Sequence, residues 1–560
     1  MVSKALLASP KHGGKARYEA VSRMMRKRIT KWQAGLEVEV WNEVSNQHHR
    51  KPSELHTLQK RKRSEGEEGL TDAEVIKVMH LIDNGMTSRA CKLLCSRGLV
   101  EYGDSNLSRI KALFPYAGNV LSQEKPAEAE LVEPASKDHI AKMIRQCAPG
   151  LAPGPSGLRI DHVKAVLLDR RELVVEKLLS GLEDLSSLLL KGELSPFLRP
   201  FLGGGRLVPL KKKDGGIRPL VVGECCYAIC ARAVVKEYAP LVTSVVHPLQ
   251  MGLGGAKNGM AAAVMAARSW TKNVHSSGAH MAILKIDIKN AYNTINRGEV
   301  LSNVKEFCPQ IYNLCAWRLG GSANIFWNGQ RIESTCGVVQ GDPLAPLMFV
   351  LWIHKIAMQF DLIPDLHQIW YLDDCLIFGD ESSLKLALTK LQDSLKPLGL
   401  ALNYCKCELY MTESHSVHLD QIPTVTDCSK WSYLGAALTD EIAAVHQDAL
   451  ARTQMVTQKI RDIAGTTTRP AALRLCAGTC RIEHLLRLTT LKETADFLIH
   501  PVSKGLNSVL SEILQVSSLS PQTWAHATLP VRMGGLGIRD PREHWVPSLF
   551  AAVPTGPGWL

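Results

Sequence analysis

The sequence predicts an α+β chain, a small β-rich centre framed by helices, and three observations point to it. Met281–Ile288 is an apolar run of strand length with a carboxylate near its end, and Gln368–Trp370 and Cys375–Gly379 are two shorter runs joined through Tyr371-Leu372-Asp373-Asp374. Arg206–Glu224 has a strand-turn-strand pattern with a basic tip, Lys211-Lys212-Lys213-Asp214-Gly215-Gly216. Around these lie stretches whose apolar residues recur at helical spacing, chiefly Val163–Lys191 and most of the chain from Glu441 onward.

At 560 residues the chain exceeds one hydrophobic core and suits three or four modules. Its net charge of +12 is concentrated at the start, where residues 1–63 hold fifteen Lys or Arg against five Glu. The remainder is close to neutral, so a polyanion-binding face there has to come from local arrangement. Val21–Trp32 holds Arg26-Lys27-Arg28 and suits a basic helix; Lys60–Arg63 fits a nuclear-import signal weakly. A solvated tail explains this segment equally well.

Ser64–Gly69 reads as a linker, and Thr71 with Glu74 three residues on is a capping-box signature. A helix pair over Ala73–Asp83 and Thr87–Leu99 follows, then a second linker over about Ser122–Ser136 and turn material at Ala152–Gly157. After the hairpin, helices are expected to about Tyr238 and over Gly259–Trp270, and Pro470 and Pro501 as breaks in the C-terminal helices. The fifteen cysteines lack the paired spacing of a zinc ribbon or disulfide framework; Cys476, Cys480 and His484 fall at helical spacing but, with no second pair, read as core. Free thiols, no start resembling a signal peptide and no apolar stretch of about 20 residues predict an intracellular protein of nucleus or cytoplasm, off the membrane.

The carboxylates carry the chemistry. Adjacent aspartates at a hairpin tip repel one another, and no Lys or Arg neighbours Asp373 and Asp374 in sequence. A divalent cation resolves this, since Mg²⁺ accepts one or two carboxylates plus phosphate oxygens. With Asp287 alongside, a pair of ions about 3.5–4 Å apart can serve an in-line phosphoryl displacement. Alone, the aspartate pair is equally compatible with a polar turn. Gly337-Val338-Val339-Gln340-Gly341-Asp342-Pro343, a turn feeding an apolar helix over Leu344–Met358, stands between Asp287 and the pair. Gly341 suits close backbone approach to a ligand, and Gln340 offers amide groups.

This ordered set resembles the palm of reverse transcriptases, especially those of non-LTR retrotransposons (long interspersed elements). Asp287-Ile288-Lys289-Asn290-Ala291-Tyr292 resembles their first carboxylate motif, Gly337–Pro346 the loop and helix after it, and Tyr371–Asp374 the aspartate hairpin. Gly399–Asn403 with Lys406 resembles the next motif, Trp431–Gly435 the primer grip, and Lys212, Arg218 and Pro219 the fingers hairpin; Pro248–Gly252 also has counterparts there. The likeness covers about residues 150–440 and continues less firmly through Leu529–Gly537.

The resemblance implies a right-hand polymerase: fingers over 150–275 with a return near 300–335, a palm with an antiparallel sheet over 276–440, and a helical thumb and C-terminal region over 441–560. Before them come a basic tail (1–64) and a helical appendage (65–135). It implies an RNA-directed DNA polymerase that uses an RNA template, a DNA primer and dNTPs, with Asp287, Asp373 and Asp374 holding two Mg²⁺, or Mn²⁺ in their place. Lys212 and Arg218 would contact the triphosphate, unless they are solvated hairpin charges. Tyr292 would crowd out a ribose 2′-hydroxyl, or pack as a core tyrosine. Gln340 and Gly341 would line the nucleotide and template pocket. Lys406 would act as a general acid, a role that needs a lowered pKa, or stand exposed. Tyr433, Leu434 and Gly435 would form the primer grip.

There are departures. Many relatives carry an aspartate where this chain has Asn293. No stretch resembles an apurinic-type endonuclease, a zinc knuckle or, after about Arg539, a restriction-like nuclease, so a polymerase without its own nicking partner is expected. A catalytically silent nucleic-acid-binding protein of the same fold is the alternative, and the intact aspartate trio argues against it.

Overall fold

A computed structural model of the chain describes residues 14–36, 38–40, 43, 71–83, 87–96, 98–116, 134–148, 150–212, 214–253, 258–276, 280–398, 400–412, 417–461, 463 and 468–552. Lys60–Arg63, Ser64–Gly69, Lys213, Gly399 and most of the 122–136 segment lie outside the described residues.

Helices α1 (Gly14–Gln33), α2 (Asp72–Asp83), α3 (Thr87–Cys95), α4 (Asp104–Lys111), α5 (Lys137–Gln146), α6 (Ile160–Leu167) and α7 (Glu172–Lys191) lead into the sheets. Helix α2 starts on a reciprocal cap: the Glu74 carboxylate accepts from Thr71 N–H at 3.0 Å, and Thr71 Oγ1 accepts from Glu74 N–H at 3.3 Å. The Arg26–Arg28 cluster is docked against α6, where Arg28 is buried and Arg26 reaches Asp169 at 3.4 Å. It is not a solvated tail. The single helix expected over Val163–Lys191 is two. The Asp169 carboxylate accepts from both the backbone N–H and the guanidinium of Arg171 at 3.0 Å, a local bond that competes with the helix between α6 and α7.

The strands are β1 (Gly205–Lys211), β2 (Ile217–Val222), β3 (Met281–Ile286), β4 (Ala323–Trp327), β5 (Gln330–Ser334), β6 (His367–Tyr371), β7 (Asp374–Asp380), β8 (Glu408–Tyr410), β9 (Thr424–Val425), β10 (Ser432–Tyr433) and β11 (Ala436–Ala437). The fingers sheet has the order β2-β1-β4-β5, so the return segment pairs beside the basic hairpin, with β4 parallel to β1. Leu207, Val221, Ile325 and Ile332 bury one face of it against Ile110 and Phe114 of the appendage.

The palm sheet has the order β6-β7-β3-β8-β9, antiparallel except for the β8–β9 pair. Its central strand β3 is covered on both faces. Ala282, Leu284 and Ile286 join a core with Phe349 and Ile353 of helix Ala345–Phe360, whereas Ile283 joins another with Ala263 and Val264 of helix Gly259–Ser276. Burial on both sides explains why this strand reads as a largely apolar run, interrupted only by Lys285, which pairs with Glu408 at 2.9 Å. Helix Cys225–Val246 runs beyond the expected end near Tyr238. The fold is therefore the right hand, with a helical thumb from Ala444 onward.

Of the two thumb prolines, Pro470 sits in the first turn of helix Thr468–Cys476, where a missing N–H costs little. Pro501 does not break the chain as expected: it lies inside Lys492–Leu514, whose face of Leu498, Val502, Leu506 and Val509 stays buried across it. Tertiary packing outweighs the local cost.

At the thumb entrance His446 is buried, and its Nδ1 accepts from Ala443 N–H at 2.9 Å. Burial, then Arg268 and His484, hold its pKa down at about 4. Between about 4 and the unfolded value near 6.5 the unfolded chain binds more protons, so stability rises with pH through that window and is lost on acidification. The full loss below the window amounts to roughly 3 kcal/mol. His446→Gln should flatten the decline in melting temperature between pH 6.5 and 4; an unchanged acid limb would contradict this assignment.

Candidate active site

The sheet register brings the three aspartates together. Ile286 pairs with Cys375, so Asp287, one step further along β3, stands level with Asp374 at the start of β7. Tyr371 pairs with Asp374 across a two-residue loop, which puts Leu372-Asp373 at the tip. Leu372 has φ 55°, a left-handed conformation rare for a bulky residue and found where surrounding structure enforces it. Behind Asp287, the segment after the helix Glu381–Leu395 runs alongside: Asn403 N–H donates to Asp287 O at 2.9 Å, and Ile288 bridges to Leu402.

The electrostatics are those of crowded like charges. Burial and then the Asp287 charge raise the pKa of Asp373; Arg218 and Lys212 on the fingers hairpin oppose the shift. Water reaches one side of Asp374, yet the protein packed round the hairpin still pushes its carboxyl up to about 6, followed by Asp373 and Asp287. Hard oxygen donors whose negative charges repel are the set a divalent cation suits. As they stand the side chains do not close a ligand shell: among the described residues no group of three or more His, Cys, Asp or Glu is arranged to hold a metal ion. The fit rests on donor chemistry and on the register. Cys476, Cys480 and His484 likewise form no such group, and Cys476 is buried.

Lys212 and Arg218 are exposed on the hairpin, and their charges reach the aspartate tip. Tyr292 lies below: its ring stacks on Phe349 with centroids 4.4 Å apart and planes 6° from parallel. Burial, then the charges of Asp373 and Asp374, raises its phenol pKa well above the ordinary value, and the ring is part of the core. Asn293 is buried and donates to Asn290 Oδ1 at 3.2 Å. An aspartate there would bury an added charge.

Four expected site residues stand differently in the fold. Gly341 has φ 108°, and a Cβ on it would meet Val221 O at 2.2 Å, so the close approach that requires a glycine is to β2. Gln340 O accepts from Val221 N–H at 2.8 Å, tying the loop to the same strand, with its side chain half-buried. A cavity of about 610 Å³ beside Gly341 and Asp342 reaches Lys77, Arg89 and Lys92 of the appendage but none of the three aspartates. Lys406 is bound to Asp214 at the fingers tip at 2.7 Å, which raises its pKa, the opposite of what a general acid needs. In the grip hairpin, Leu434 and Gly435 form the turn, both at positive φ, but Tyr433 is buried. Its hydroxyl donates to Asp374 O at 3.1 Å, so it supports the aspartate from beneath and presents no side chain to a primer.

Sequence reading missed Asp342 as more than a loop residue. Its carboxylate takes Arg318 Nε at 2.6 Å, the Tyr227 hydroxyl at 3.2 Å and Leu344 N–H at 3.0 Å, with both charged side chains buried. Arg297, also buried, donates to the carbonyls of Gly337 at 3.0 Å and Gly321 at 2.7 Å. These two arginines hold the loop from opposite ends.

Paired aspartates on a hairpin, level with a third at the end of the central palm strand and opposite a basic fingers hairpin, are the arrangement of the right-hand polymerase fold. Residues 210–438 match the reverse transcriptase (RNA-dependent DNA polymerase) family. Over that span the chain is similar to reverse transcriptase domains, and its curated relatives are retrotransposable-element polyproteins. It is 22% identical over 297 residues to the retrovirus-related Pol polyprotein from type-2 retrotransposable element R2DM of Drosophila melanogaster, covering 47% of this chain and 27% of that one. It is 20% identical over 292 residues to the Pol polyprotein from type-1 retrotransposable element R2 of Nasonia vitripennis, again 47% and 27%. The chain thus spans about a quarter of the length of the curated relatives it matches. Among solved structures, apo telomerase from Candida tropicalis aligns over 64% of this chain and 69% of its own, at 12% identity and a TM-score of 0.34.

Proposed function

We propose that this chain is an RNA-directed DNA polymerase, extending a DNA primer with dNTPs on an RNA template through a metal pair held by Asp287, Asp373 and Asp374. The observation that carries this reading is the register that sets Asp287 level with Asp374 under two fingertip cations. Bound there, Mg²⁺ or Mn²⁺ would acidify a primer 3′-hydroxyl and neutralise charge on the departing pyrophosphate. Arg218 forks onto triphosphate oxygens and Lys212 adds a point charge, both on a hairpin free to face solvent. Lys406 contributes a further positive charge at the fingers–palm junction, not a proton. Gln340 and Gly341 set the loop against β2 and so shape the nucleotide pocket through the backbone. The Leu434-Gly435 turn is the part of the grip hairpin that meets the primer.

Tyr292 would exclude ribonucleotides, its ring held flat against Phe349 where a 2′-hydroxyl would enter. With a primed RNA template and Mg²⁺, the wild type should extend with dNTPs in preference to NTPs. Tyr292→Val should lower the ratio of kcat/KM for dNTP over NTP on the order of 10- to 100-fold, the scale at which group-sized space discriminates substrates. An unchanged ratio would remove the sugar gate. A wild type that binds primed RNA but never extends it would favour the silent binding protein.

A further inference from the structure

We propose that Gln250 is a positioning residue for the aspartate hairpin, clamping the Leu372 peptide so that Asp373 is held at the tip; this rests on the polymerase reading. Leu372 lies in the left-handed region, which a leucine does not adopt without external support. That support comes from a side chain 122 residues away. Leu372 N–H donates to Gln250 Oε1 at 2.7 Å, and Gln250 Nε2 donates back to Leu372 O at 3.2 Å. One amide satisfies both polar groups of the strained residue, a complementarity that glutamine offers and an aliphatic side chain does not.

The clamp is itself held. Gln250 is 2% exposed, and its Oε1 takes a second donor, Gly252 N–H, at 2.9 Å. Residues on either side pair with β6: Trp370 N–H donates to Leu249 O at 2.9 Å, and Met251 N–H to Trp370 O at 2.8 Å. This also explains the Gln-x-Gly spacing. A Cβ on Gly252 would meet Leu372 N at 2.6 Å and Leu372 Cγ at 2.8 Å, so only a glycine two residues on lets the clamp close over the turn. Gln250 touches no position where a nucleotide is expected to bind, and it acts through Leu372. Tyr433 supports Asp374 on the other arm of the hairpin, so the two aspartates rest on separate props.

The test uses Gln250→Met, near in volume but unable to bond either group, and Gln250→Glu, which keeps the two acceptor contacts and loses the donor. Hydrogen exchange of the Leu372 amide should quicken at least tenfold in Gln250→Met and less in Gln250→Glu, with exchange in the fingers sheet unchanged. Thermal stabilisation by Mn²⁺ should weaken, its half-saturating concentration rising roughly 10- to 100-fold, the usual cost of losing an outer support of metal ligands. Extension should lose kcat by a similar factor at unchanged dNTP KM, with Gln250→Glu partly rescued. Unaltered exchange at Leu372 in Gln250→Met overturns the clamp, whether or not the wild type polymerises. A wild type that neither extends primers nor responds to Mn²⁺ overturns the polymerase reading instead, and the exchange result still decides the clamp. Should Gln250→Met not fold, faster Leu372 exchange in Gln250→Glu supports the proposal and equal exchange sinks it.

Discussion

Asp373→Ala is expected to cut primer extension by about 10³-fold while leaving affinity for primed RNA nearly intact. A carboxylate shared between ions contributes several kcal/mol of charge stabilisation in the transition state, and each 1.36 kcal/mol is tenfold in rate. Binding is a separate matter, because nucleic-acid affinity is set largely by Lys and Arg on phosphates. Removing a negative charge near the template would strengthen it slightly if anything. The fold should tolerate the change, since Asp373 occupies the second loop position of the β6–β7 hairpin and alanine fits there. Losing that charge also relieves Asp374, whose carboxyl is pushed up first by burial and next by Asp373. Single-turnover extension with Mg²⁺, paired with a filter-binding titration, separates the two effects. Wild-type extension by the variant would dismiss Asp373 as a metal ligand.

The second large effect is structural. Arg318→Ala should destabilise the protein by about 3–5 kcal/mol, because it leaves the Asp342 carboxylate buried without its counter-charge. Both side chains are almost sealed from water, 2% and 4% exposed, so solvent cannot replace the lost partner. Burial alone would lower the Arg318 pKa, but Asp342 and then Tyr227 outweigh it and raise it. The consequence reaches the site through the loop: Asp342 also accepts from Leu344 N–H at 3.0 Å, fixing the turn that leads into the helix beginning at Ala345. A loosened loop should raise the dNTP KM as well as lower the melting temperature. The double variant Arg318→Ala/Asp342→Ala should be less destabilised than the sum of the two single changes, since no unpaired charge remains. Strict additivity in thermal melts would show that the pair is not coupled.

Much of the site was legible in the chain itself. The apolar run ending at Asp287, the aspartate step flanked by two short strands, the basic hairpin and the Thr71–Glu74 cap are all patterns within a few residues, and each appears at its place in the fold. Strand period, turn chemistry and caps are local physics, so a window of ten residues contains their causes. What the chain could not disclose is which side chains meet across long separations. Tyr433 looked like part of a primer-facing turn, yet its hydroxyl props Asp374 from 59 residues away. Gly341 looked like a ligand-facing glycine, and its space is taken by β2. Lys406 is committed to Asp214, 192 residues before it, which reverses the pKa shift its expected role requires. Gln250 stood out only as part of the Pro248–Gly252 resemblance, without a role, and Arg318 carried no local signal, because a buried amide or guanidinium has meaning only through its partner. Sequence alone determined the carboxylates and the strands that bear them; the tertiary structure decided what holds them still, since that depends on distances closed only when the sheets pack.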